Sequence, residues 1–252
     1  MDEFSRPFFL LAGAGAPPSP AALEAALRRM GLQPETQAGG DGALRLHLGS
    51  LRMLVERTPA GVLDRADPGD GANSLIGASP SPAWRANCWI FRIEPANAEA
   101  GDWARLSRCF TMMVLLIDLF GADHLFWSPA RLWSDARAFR EALTEMRASG
   151  MPPVLHLVAF RRRDASDGEL VATRGLAAFA GQELEAPVPP GWGMAAMVRR
   201  LARLALDLML NGPIVRAQEV PGLESGEWVA MTPQAGEDGA PDRVRVVFRP
   251  GG

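Results

Sequence analysis

The chain has 252 residues, 48% of them hydrophobic, enough for one large core or two small ones. Its formal net charge is −3, so no overall basic field exists to hold nucleic acid or an anionic membrane. All 26 basic residues are arginine, and lysine and tyrosine are absent, which excludes lysine Schiff bases, a Walker lysine and tyrosine general acids.

The N-terminal stretch MDEFSRPFFLLAGAGA superficially resembles a signal peptide. Asp2 and Glu3 outweigh Arg6, however, and the apolar part is short, so Phe8 to Ala12 reads as a buried first strand. Ser19 as N-cap, Pro20 at the first helical position and Gly31 beyond the end predict a helix between them. Leu44, Leu46 and Leu48 alternate with Arg45 and His47, and a similar phase follows Gly49-Ser50, which predicts a hairpin. The stretch from Thr58 to Ala86 reads as a long loop, and Cys88 to Glu94 as a further strand.

Beyond Pro95, Asp102 is placed to cap a helix that Gly121 ends. Its apolar run from Cys109 to Ile117 falls far short of the ~20 residues that span a bilayer. A short strand stops at Pro129, and Ser134 is expected to cap an amphipathic helix ending at Gly150. VLHLVAFRRR reads as a strong strand that turns at Asp167-Gly168 into ELVAT. Met194 to Gly212 reads as an amphipathic helix with Arg199, Arg200, Arg203 and Asp207 on its wet face; short strands follow near Gly226 to Met231 and Arg243 to Arg249. Helices alternating with hairpins predict an α+β fold with a mixed, largely antiparallel sheet. We expect one domain over 1–252, with two βαββ-like halves at 1–95 and 96–252.

Candidate chemistry is sparse. The loop from Gly13 to Pro18 stands where a dinucleotide fingerprint belongs, but Pro18 takes its third glycine position and a hairpin follows instead of a βαβ unit. Cys88 and Cys109 lack disulfide or zinc spacing, and no paired His motif exists, so no metal or cofactor is expected. His47 reads as solvated and His156 as buried and hydrogen-bonded. His124, beside Asp123 and near Asp118, is the one histidine placed for a carboxylate to orient as a base. Trp127, Trp133, Trp192 and Trp228 fall near element ends, where indoles line pockets, interfaces or core edges.

The stretch Thr173 to Pro187, TRGLAAFAGQELEAP, holds the most pattern. Glu183 and Glu185 are two residues apart on a strand and so share a face, either as working carboxylates or as a wet surface. Gly175 and Gly181 suggest bends or close backbone approach. Thr173, Gly175, Leu176, Phe179, Gly181, Glu183, Leu184 and Glu185 together resemble the C-terminal signature of a bacterial family catalogued as domain of unknown function four-two-six-one. Trp127 with Pro129, and Met151-Pro152 before a long strand, are similar to its upstream order; Ala180 stands where the family has glycine. The resemblance carries no activity. It implies a cytoplasmic bacterial accessory protein.

The expected function is therefore a non-enzymatic accessory or interaction module with a protein partner, immunity-like or secretion-associated, with neither nucleic acid nor membrane as its target. Arg174, Glu183, Glu185, Trp127 and His124 are the candidate binding residues. The alternatives are a hydrolase using Glu183 and Glu185 with Arg174 or His124, and a small-molecule sensor with an apolar cavity.

Overall fold

A computed structural model describes residues 7–13, 18–36, 43–48, 51–58, 88–93, 103–165, 168–237 and 239–249. The Asp102 cap, the turn residues Gly49, Ser50 and Asp167, and the stretch 59–87 lie outside the described residues. The fold is α+β, with helices packed on two mostly antiparallel sheets.

The first sheet is built around β1 (Phe8–Ala12), whose five apolar residues are buried on both faces. Helix α1 (Pro20–Arg29) follows. Ser19 caps it by accepting from the Ala22 amide at 3.3 Å, and Leu23 and Leu27 turn inward. Strands β2 (Gln33–Thr36), β3 (Leu44–Leu48), β4 (Leu51–Arg57) and β5 (Cys88–Ile93) then form a meander that ends beside β1. β2 escapes a sequence reading because QPET is polar and contains a proline; it is an edge strand, where a missing amide is tolerated. Helix α2 (Trp103–Phe120) leads to β6 (His124–Trp127) on the other side of β1 and to β7 (Leu132–Asp135) at the sheet edge. The full order is β2-β3-β4-β5-β1-β6-β7.

Two expectations fail in the next stretch. The cap of α3 (Ala136–Ser149) is Asp135, whose Oδ1 accepts from the Ala138 amide at 2.8 Å. Ser134 is drawn into β7 and is buried. VLHL is not strand either: Val154–Leu157 forms a single helical turn, α4, closed by Val158 N–H donating to Val154 C=O at 2.8 Å. Pro152 and Pro153 fix the φ of the residues that lead into the turn, and the two leucines are good helix formers, which together override the β preference of Val154. The strand proper, β8, runs from Ala159 to Ala165.

The second sheet comprises β8, β9 (Gly168–Arg174), β10 (Gln182–Pro187), β11 (Gln218–Pro221), β12 (Trp228–Gln234) and β13 (Asp242–Arg249), in the order β11-β12-β13-β10-β9-β8. A one-turn helix α5 (Ala177–Ala180) lies between β9 and β10, and α6 (Met194–Asn211) follows β10. Both sheets share one plan: a central strand, a helix, then a meander that returns to pair with the central strand. Four strands in the first meander bring β5 back antiparallel to β1; three in the second bring β13 back parallel to β10. One hydrophobic cluster contains residues of both sheets and of α1, α2, α3 and α6. Phe110 on α2 is at its aromatic centre, meeting Phe9, Trp127, Phe139 and Phe179.

Candidate functional site

The signature stretch is a corner, not a kinked strand. β9 ends at Arg174, Gly175 turns the chain at φ +98°, α5 makes one turn, Gly181 ends it at φ +72°, and β10 begins. A side chain at Gly175 would be strained and would meet Ala130 at 2.9 Å, so the corner is pressed against the β6–β7 turn. Leu176 and Leu184 are fully buried, and Phe179 packs on Trp127 at 6.2 Å between ring centres. The corner thereby supplies a core aromatic to the first sheet.

Glu183 reaches back into this corner. Its Oε1 accepts from the amides of Gly175 at 2.7 Å and Ala177 at 3.1 Å. Its Oε2 accepts from Thr173 Oγ1 at 2.6 Å and the Leu176 amide at 3.3 Å. Thr173 Oγ1 in turn accepts from the Leu184 amide at 2.7 Å. Amides that α5 cannot satisfy internally are thus satisfied by a carboxylate 6 to 8 positions onward. Glu183 acts here as a structural acceptor. Glu185, on the same face, stands 3.7 Å from Arg243 of β13.

Beside the corner opens a cleft of about 510 Å³, lined among others by Pro129, Arg163, Arg174, Glu183, Glu185 and Arg243. Its electrostatics are dominated by guanidinium groups. Burial, then the charges of Arg161, Arg131 and Arg163, pull the pKa of Arg174 down to about 10; only Glu183 opposes the drop. Arg161 is pushed down by burial and by Arg131 and Arg163. Guanidinium charges gathered this closely disfavour one another, and an anion placed beside them would ease that repulsion.

The cluster is assembled by ordinary chain geometry. Arg161 and Arg163 are two apart on β8 and share a face, while Arg162 points the other way to Glu169 at 3.2 Å. Arg131 closes the β6–β7 turn. Pro129 occupies its second position, the Arg131 amide donates to Ser128 C=O at 3.1 Å, and the Phe8 amide donates to Ser128 Oγ at 2.8 Å. Arg131 itself sits at φ +48°, the one positive-φ residue other than glycine among the described residues. That conformation costs about 1–2 kcal/mol outside glycine, and strain of this kind concentrates at binding sites.

Arg174, Glu183 and Glu185 are therefore brought together, and His124 and Trp127 are not among the residues lining the cleft. Trp127 is 1% exposed and stacks on Phe9 at 4.4 Å; it is a core residue. His124 is at the opposite end of β6 from Trp127, roughly 10 Å along the strand, and among the described residues no carboxylate is hydrogen-bonded to it. Trp133 is buried, whereas Trp228 is 49% exposed. Sequence reasoning overlooked Arg131, Arg161, Arg163 and Arg243. The alternation within RRR was the available signal for two of them.

Arg200 is a further correction, since it does not lie on a wet face. It is 7% exposed, its Nε and Nη2 donate to the Glu227 carboxylate at 2.8 and 2.9 Å, and its guanidinium stacks 4.1 Å over the Trp192 ring. The Glu227 hydrogen bonds raise the Arg200 pKa; burial would raise that of Glu227, but Arg200 and the Glu224 amide outweigh it and bring it down. The pair ties α6 to the β11–β12 connection, where Gly222 leaves room for the Glu227 side chain.

Among the described residues no three His, Cys, Asp or Glu side chains converge to hold a metal ion. None of the described helices is long and apolar enough to cross a membrane. No family model, curated protein or solved structure matches the chain.

Proposed function

We propose that this chain is a non-catalytic binding module that captures an anionic group in the arginine-lined cleft, the accessory-protein role expected from its sequence. The observation that carries the reading is that Arg163, Arg174 and Arg243 line the cleft and that the charges of neighbouring arginines add to burial in lowering the pKa of Arg174 and of Arg161 beside it. A carboxylate or phosphate would relieve that repulsion and take bidentate hydrogen bonds from planar guanidinium groups. The bacterial cytoplasm, a protein that presents the anion, and kinship with the family carrying the signature belong to the same proposal.

The hydrolase alternative is less well supported. An acid–base pair needs a carboxyl free to exchange a proton with substrate. Four donors occupy Glu183, and Arg243 neighbours Glu185.

Thermal unfolding in sodium phosphate and in sodium chloride at equal ionic strength tests the reading. A ligand that binds only the folded state raises the midpoint in proportion to RT ln(1 + [L]/Kd). Phosphate also stabilises folded chains by exclusion from their surface, without any site, so the expected signal is a saturable gain over chloride in the wild type that Arg174→Ala loses. Absence of a saturable gain in the wild type, or a saturable gain of equal size in Arg174→Ala, overturns the proposal.

A further inference from the structure

A second concavity shares no lining residue with the arginine cleft. It is a groove of about 870 Å³ between α3 and α6, walled by Ala142, Ala148, Ala202 and Leu206 and floored by the Met151–His156 segment. Its volume is within the range of small-molecule sites. Among the described residues lining it, Glu145 and Arg203 are the charged ones, one of each sign, so they select no net charge.

One buried polar group faces this apolar lining. His156 is 7% exposed, and its Nδ1 is hydrogen-bonded to Ser134 Oγ at 3.1 Å. The Phe139 ring packs on it edge-to-face at 5.7 Å. Nε2, the other ring nitrogen, makes no hydrogen bond among the described residues, and His156 lines the groove. Burial brings the pKa of His156 down to about 4, against a smaller upward pull from Asp135, so the ring is neutral at pH 7. A neutral imidazole offers either a donor or an acceptor at Nε2, depending on which way the Ser134 hydrogen points. A hydroxyl group satisfies both cases. Ser134 is 1% exposed and lines no part of the groove, so it positions the ring and has no route to attack a substrate.

The floor favours a flat apolar partner. Met151 is 56% exposed, and its unbranched thioether adapts to aromatic rings and contacts their edges. Pro152 and Pro153 hold the backbone beneath it rigid.

We propose that the groove between α3 and α6 binds an uncharged aromatic small molecule carrying one hydroxyl group, with the ring against Met151 and Leu206 and the hydroxyl on His156. The site is independent of the arginine cleft.

The test uses 2-naphthol and naphthalene as probes, with the methyl resonance of Met151 (assigned by Met151→Leu) as the readout. A saturable shift is expected with both, and a Kd for 2-naphthol about tenfold lower, the value of one hydrogen bond to a buried partner. His156→Phe combined with Ser134→Ala, which leaves no buried hydroxyl unpaired, is expected to keep naphthalene binding and remove the preference. Ala202→Trp, at a half-buried helical position, fills the groove and is expected to remove both; it tests the location even if the double variant fails to fold. Absence of a saturable Met151 shift, equal Kd values in the wild type, a preference that survives without His156, or undiminished binding in Ala202→Trp each overturn the proposal.

Discussion

Replacing Glu183 with alanine separates a structural carboxylate from a working one. The side chain accepts hydrogen bonds at 2.6, 2.7, 3.1 and 3.3 Å, three of them from backbone amides at the corner after β9. Removing it leaves those donors without their acceptor in a half-buried setting. Each such loss costs about 1 kcal/mol or somewhat more when the acceptor was charged, so Glu183→Ala is expected to destabilise by about 3–4 kcal/mol. For a chain of this length that corresponds to a midpoint lower by roughly 8–12 °C. Glu183→Gln is expected to lose about half as much, because whichever oxygen becomes an amide nitrogen turns two of the four donors away. Glu185→Ala is the control. Its partner Arg243 is 3.7 Å away and 47% exposed, an arrangement worth less than about 1 kcal/mol. Urea unfolding followed by circular dichroism, with the slope unchanged, measures all three. Equal losses for Glu183→Ala and Glu185→Ala, or a Glu183→Ala loss under about 1 kcal/mol, would refute the structural role.

Arg174→Ala is expected to leave stability in sodium chloride unchanged or raised, since it removes a charge crowded by Arg161, Arg131 and Arg163, and calorimetric unfolding reads this directly. Gly175→Ala combines φ +98° with a 2.9 Å approach to Ala130; a loss of about 2 kcal/mol or more is expected, with partial recovery in Gly175→Ala/Ala130→Gly. Arg200→Met strands the buried Glu227 charge and is expected to cost about 3–5 kcal/mol, while Arg200→Met/Glu227→Leu recovers much of it in a double-mutant cycle. His156 binds its proton more weakly in the folded chain, at about 4 against 6.5 when unfolded, so the unfolded state takes up protons first as pH falls. Stability is therefore expected to fall between pH 6.5 and about 4, by at most about 3 kcal/mol, and the His156→Phe/Ser134→Ala variant should lose that part of the dependence.

Much of the architecture was legible in the sequence because local signals and burial agreed. Ser19-Pro20 starts a helix, Phe8 to Ala12 is buried on both faces, and the Leu44–Leu48 alternation faces the core through Leu44 and Leu46. What escaped was decided by tertiary contact. β2, β7 and β11 have four residues each and hold together through their partner strands. Val154–Leu157 continues into an apolar run that reads as strand, but it follows two prolines and contains two helix-forming leucines. The spacing of Glu183 and Glu185 placed them on one face as expected, yet it could not show that Glu183 bends back to three amides. That bond set depends on a turn whose shape only the folded corner defines. The arginine cluster draws on β8, β9 and the β6–β7 turn, so no single window of sequence contains it.

The parallel pairing at the heart of the second sheet has a consequence for the order of assembly. Glu183 and Leu184 belong to β10, whose one neighbour, β9, is close in sequence, while the other, β13, pairs Gln182 with Asp242 about 60 positions later. On a growing polypeptide the Glu183 corner has all its local partners as soon as β10 is made. The sheet edge it exposes stays open until α6 and the whole three-stranded meander have been synthesised. An unpaired edge carrying a buried-type leucine is a template for unwanted strand addition. A region exposed to aggregation during synthesis is thus the one that completes the candidate site, and its protection depends on a strand made much later.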